Sequence, residues 1–343
     1  MIDQQVPAYP EPPGRTRRQV LKGAAALAGA VGLVGAGVWA YRRQGRGPVE
    51  VPAAGSDSWL DTLAENVVTG NPQRDGIPPI DKPRFVAPGQ MTLLDDDDPV
   101  FGLVRGGQAR AYPQLVLVWH EIVNDRFGDE PLSVTYCPLT GSAFAVRGEV
   151  GGKPLTFGTT GQLVNSNLLM YDRQTDSEWP QLATVAIKGQ LRGQRLTTVP
   201  MVWATWGRWR REHPDTTVLS TETGHLRDYG LDPYGSYTPP GGYYVGRDLL
   251  FPVLAESDRL ESKEVVIGVR RGGDAAAIVK DRVARHKRVS FALGDADLAA
   301  VWDDRLASAR VVQRDGGAAT GVDYFDVMWF AWHAFYPDAI VIQ

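Results

Sequence analysis

Between residues 100 and 218 apolar and polar positions alternate in short bursts, and the runs 132–136, 143–146, 155–157, 163–169, 185–187 and 196–199 each have strand length. A period of two sends successive side chains to opposite faces, so these runs predict half-buried strands. Glycine turns separate several of them, notably Gly151-Gly152 and the Gly189 to Gly193 stretch. Trp203, Trp206 and Trp209 recur every three residues between Pro200 and Pro214, which predicts a helix burying an aromatic face rather than a sugar-stacking platform. The run Asp95-Asp96-Asp97-Asp98 lacks the alternating ligands and glycine of a calcium loop and reads as a solvated turn.

Two patterns recur in order. Gly102, Arg105, Gly106, Gly107, Ala109 and Ala111 align without gaps with Gly268, Arg271, Gly272, Gly273, Ala275 and Ala277, each set reading as a hairpin around a Gly-Gly turn. Trp206, Trp209, Pro214, Asp215 and Val218 then match Trp329, Trp332, Pro337, Asp338 and Val341. The expected fold is a strand-rich α+β body of two unequal related halves with short helices, the first about 92–220, the second about 263–343, joined by a loop over 221–262. Hairpin and tryptophans lie about 43 residues further apart in the first half, and much of 137–181 has no counterpart in the second. That extra part is expected to carry the function.

The N-terminus has a different pattern. Thr16-Arg17-Arg18-Gln19-Val20-Leu21-Lys22 resembles a twin-arginine export motif, with Val20 where phenylalanine is usual, and eighteen uncharged, mostly small residues follow over 23–40. Residues 1–40 are thus expected to be an export signal for the twin-arginine translocation machinery. Arg42, Arg43 and Arg46 keep a single uncleaved membrane anchor at 23–40 as the alternative. Residues 41–56 read as a linker and 57–343 as the body, placed in the periplasm or at the cell exterior. Composition adds three constraints. Of 343 residues 38 are glycine and 24 proline, which favours short strands and turns. A net charge of −4 gives no reason to expect nucleic acid. A single cysteine forbids an internal disulfide.

The stretches Trp119-His120-Glu121-Ile122-Val123-Asn124-Asp125, Thr135-Tyr136-Cys137-Pro138-Leu139-Thr140-Gly141-Ser142-Ala143 and Asn165-Ser166-Asn167-Leu168-Leu169-Met170-Tyr171-Asp172-Arg173, with Ser177 and Trp179 after them, resemble the bacterial and archaeal family called domain of unknown function 3179. The likeness runs from about Asp75 to the tryptophan-rich C-terminus. Val118 and Thr140 depart from the family pattern, and Thr140 removes any Cys-x-x-Cys reading. The resemblance implies an exported or anchored protein and no particular reaction.

Candidate chemistry centres on Cys137, a lone thiol at a strand end, and on His120. If they meet, they form either a Cys/His nucleophile pair or part of a site for copper or another soft transition metal, with Met170, His213 or His225 as a further ligand. Arg173 could hold an anionic group, Asp172 a hydroxyl or proton, and Trp179 a stacking wall; Asp228 and Tyr229 lie in a Tyr/Gly/Asp-rich loop of the kind that lines clefts. No phosphate loop, dinucleotide fingerprint, Gly-x-Ser-x-Gly elbow or His-Glu-x-x-His is present. The leading expectation is an extracytoplasmic enzyme or metal-dependent redox protein using Cys137 and His120. The alternative is a non-catalytic cell-envelope module that binds a small molecule, glycan or protein.

Overall fold

The computed structural model describes residues 49–70 and 73–343. The export motif at Arg17 and Arg18 and the run 23–40 lie outside the described residues. Among these, no helix is long and apolar enough to cross a membrane.

Strands make up 41% of the chain and helix 13%, in five small sheets arranged as a five-bladed β-propeller. The first blade is built on the hairpin Pro99–Arg105 and Gln108–Pro113, flanked by Val202–Thr205 and Thr217–Leu219. The second is the meander Ile122–Phe127, Glu130–Cys137 and Ser142–Arg147. The third joins Phe157–Val164, Asn167–Asp172 and Glu178–Pro180. The fourth holds Val265–Arg271, Asp274–Val279, Asp323–Met328 and Ile340–Ile342, and the fifth is the meander Arg288–Leu293, Ala296–Asp303 and Ser308–Gln313.

This architecture overturns the expected α+β fold of two related halves. The recurring patterns mark two blades out of five. Gly102 lies under the Trp209 ring and Gly268 under Trp332, where an added Cβ would come within 2.1 and 2.4 Å of ring carbons. In each blade a short helix, Trp206–Glu212 or Trp329–Phe335, carries that tryptophan, and the strand after it pairs in parallel with the second strand of the hairpin. The second and third blades lie between the first hairpin and its tryptophan helix, whereas only the fifth lies between the fourth blade's hairpin and its own. The excess of about 43 residues is therefore one blade more. Helix content fell short of an α+β fold because the described helices span at most nine residues and pack singly against blades.

Packing between blades closes the molecule. Phe144 of the second blade stacks on Phe325 of the fourth with ring centroids 4.4 Å apart. The helix Asp57–Glu65, capped by the Ser56 hydroxyl accepting from the Trp59 amide at 3.1 Å, buries Trp59, Leu60 and Leu63. Trp59 donates its indole N–H to the Phe335 carbonyl at 3.3 Å, joining the start of the body to its end.

Candidate functional site

The second blade positions both sequence candidates. Its first two strands pair Ile122 with Thr135, and continuing that antiparallel ladder would set residue 120 opposite residue 137. The ladder ends at Glu121. Glu121 takes φ +57°, a left-handed conformation uncommon for a non-glycine residue, and its carbonyl accepts from the Tyr136 amide at 2.7 Å. This turn redirects the chain, and His120 and Cys137 acquire separate partners.

His120 is fully buried. Its Nδ1 lies 2.7 Å from the Pro78 carbonyl, which can only accept, so the proton sits on Nδ1. Nε2 then accepts from the Tyr229 hydroxyl at 2.7 Å, and Tyr229 in turn accepts from Thr223 at 2.5 Å. Burial, with some help from the neighbouring His225 and Arg227 charges, lowers the imidazole to about 4. It is neutral at physiological pH, with both nitrogens engaged.

Cys137 ends its strand at a tight turn in which Gly141 has φ +59° and Ser142 pairs back to Cys137. The thiol is fully buried, 3.9 Å from the Ser166 carbonyl, with the Thr140 side chain and the Thr140 and Leu168 backbone also within its reach. Burial, with the Glu121 carboxyl adding to it, pushes the thiol up to about 11. Glu121 retains only 5% exposure, and among the described residues no donor or cation reaches its carboxyl. Burial alone pushes it up to about 8. Tyr234 and Tyr243 come close enough to feel the charge of the thiol, and the Tyr243 hydroxyl donates to the Leu139 carbonyl at 2.7 Å. Sequence reasoning did not single out Glu121 or these tyrosines. The available signal was a carboxylate inside the apolar run Val116 to Val123.

The other candidates are placed elsewhere. Asp172 is fully buried in a turn, accepting from the Thr175 amide at 2.6 Å and the Trp179 indole at 3.0 Å. The Trp179 ring is itself fully buried, edge-on to Phe157. Arg173 is paired with Asp81 and lies 3.7 Å from Asp75. Asp228 is exposed, in the same loop as Tyr229. Met170 belongs to the core, His213 lies against the Trp209 ring, and the exposed His225 has its ring centroid 5.5 Å from that of His120. Of the candidates, the structure brings together His120 with Tyr229 and His225, and Asp172 with Trp179. Among the described residues no three His, Cys, Asp or Glu side chains are grouped as for a metal ion. With both ring nitrogens engaged by Pro78 and Tyr229, His120 offers no free nitrogen to a copper site.

Asn165 and Ser166, both at positive φ, form the two-residue turn of the third blade's hairpin. Asn167 and Gln181 bind Thr140 and Ser142 in a buried polar network directly behind the Cys137 turn. The three ordered motifs therefore converge on one place, the end of the second blade.

A family described as protein of unknown function, DUF3179, matches residues 74–339. No curated protein and no solved structure matches.

Proposed function

This chain belongs to the DUF3179 family, whose description assigns no reaction, and we propose from the geometry of its own residues that it is an exported thiol-dependent enzyme. Cys137 is its nucleophile, Glu121 moves the proton, and the substrate is a small neutral electrophile. Export rests on the Arg17-Arg18 motif and the apolar run behind it.

Glu121 carries this reading. Burial disfavours the charged carboxylate, and a non-glycine residue held at positive φ costs about 1–3 kcal/mol. Packing alone would be served better by an apolar side chain. A carboxyl still protonated at neutral pH can deliver its proton to a leaving group and then recover one. With a hydroperoxide, Cys137 Sγ bonds to one oxygen as the O–O bond breaks. Glu121 protonates the departing oxygen, the thiol proton returns to Glu121, and the products are a sulfenic acid and an alcohol or water. Glu121, Tyr234 and Tyr243, the groups that bear on the thiol, are all uncharged at neutral pH, which suits a neutral substrate.

The test compares hydrogen peroxide with iodoacetamide on wild type and Glu121→Gln at pH 7. Hydroxide needs a proton to leave and iodide does not. Glu121→Gln is expected to slow sulfenic acid formation about a hundredfold and to leave alkylation as fast or faster. An equal effect on both reagents would overturn the proposal.

A second reading, the non-catalytic binding module, is favoured by one observation. Leu226, Leu231 and Val245 are 96%, 44% and 59% exposed within a single loop, apolar side chains that a partner in the cell envelope could cover. A Cys137→Ser protein that retains full biological activity would favour that module.

A further inference from the structure

The loop over 223–246 crosses the end of the second blade without joining any blade. Among the described residues its ladder pairing is confined to its own ribbon, Gly235–Tyr237 with Pro240–Gly242, and its other backbone-to-backbone hydrogen bonds stay within 221–246. Side chains tie it down instead. Tyr229 bonds His120 Nε2, the Trp119 indole donates to the Leu231 carbonyl at 3.0 Å, and Gln114 donates to Asp232 at 2.8 Å. Tyr243 is anchored on Leu139, in the turn that carries Cys137. Between these ties Tyr234 and Tyr243 pack against the core cluster that holds Cys137, whose thiol has no exposure.

We infer that residues 223–246 form a strap latched to the body by the His120–Tyr229 and Gln114–Asp232 pairs, and that the strap lifts to admit substrate to Cys137. The inference rests on Cys137 being the reactive group. A segment held by side-chain bonds and by aromatic packing such as Tyr237 on Trp203, with no ladder to a blade, can open without breaking the continuous ladders of the blades. His120 suits the latch because the Pro78 carbonyl sets its tautomer and leaves Nε2 as an acceptor aimed at the strap. On this reading His120 is a positioning residue and does not touch the reacting atoms.

The experiment measures native-state labelling of Cys137 by iodoacetamide in the full-length chain, with hydrogen exchange of the strap amides beside it. Tyr229→Phe removes the latch hydroxyl and keeps the ring. Tyr171→Phe removes a hydroxyl bond to Asp75 in the third blade and serves as the control. Tyr229→Phe is expected to raise labelling about five- to tenfold, the effect of one lost hydrogen bond on an opening equilibrium, with faster exchange confined to 223–246. The control is expected to leave both unchanged. If Tyr229→Phe should unfold the protein, Asp232→Asn tests the second latch. Equal labelling of Tyr229→Phe and the control, with strap amides no faster than those of the blades, would overturn the strap.

The two proposals separate in this design. A strap that opens in Tyr229→Phe, with equal loss of peroxide and iodoacetamide reactivity in Glu121→Gln, keeps the strap and removes the enzymatic reading. A peroxide-selective loss in Glu121→Gln with no response to Tyr229→Phe does the reverse.

Discussion

Glu121 and His120 are adjacent in sequence and shifted in ways that give opposite stability slopes. Glu121 has its folded pKa raised from 4.5 to about 8, so its contribution is fully present below pH 4.5 and is lost as pH rises through 8. His120 is lowered from 6.5 to about 4, so its contribution is present above pH 6.5 and is lost as pH falls through 4. Each slope is about 1.4 kcal/mol per pH unit, and they oppose one another between pH 4.5 and 6.5. Urea unfolding of wild type and Glu121→Gln across pH 4–9 should show the variant gaining on wild type from pH 4.5 to 8 and a constant difference outside that window. A difference independent of pH would mean that Glu121 does not titrate as a buried acid. His120 and Cys137 were legible as candidates because their residue types carry chemistry. Their partners were not legible, because His120 bonds Pro78 and Tyr229, segments remote from it in sequence.

Blade structure was more open to sequence reading. The Gly102/Gly268 and Trp209/Trp332 matches correspond to one contact made twice, a ring packed on the face of a strand that lacks a Cβ. The copies are not equivalent in detail. The Trp209 indole donates to Thr216 at 2.9 Å, whereas Trp332, with Ala339 seven residues on, leaves its buried indole N–H without a partner. Gly102→Ala and Gly268→Ala should each destabilise by about 1–3 kcal/mol, the usual cost of overpacking a dense core, read as a lower urea midpoint. Gly106→Ala, which has no neighbour within 4 Å, should lose only the smaller cost of its positive φ. What the repeat could not disclose was the unit it counted. Two blades spaced by unequal insertions look like two halves until the insertions themselves prove to be blades.

For the whole molecule, the proposed export bears on the enclosure of Cys137. A thiol carried out of the cytoplasm meets oxidants, and full burial shields it. Replacing Arg17 and Arg18 together by lysine should hold the protein in the cytoplasm, measured by cell fractionation; unchanged export would remove the twin-arginine proposal. The sequence by itself determined the strand-rich character, the turns, the glycine–tryptophan pairs and the family, because each is written in residues close together or in patterns of residue type. Tertiary structure alone decided the number of blades, the burial of Glu121 and the joining of His120 to Tyr229. Those depend on segments about a hundred residues apart excluding water from one another, and the local alternation of apolar and polar side chains carries no record of which segments will meet.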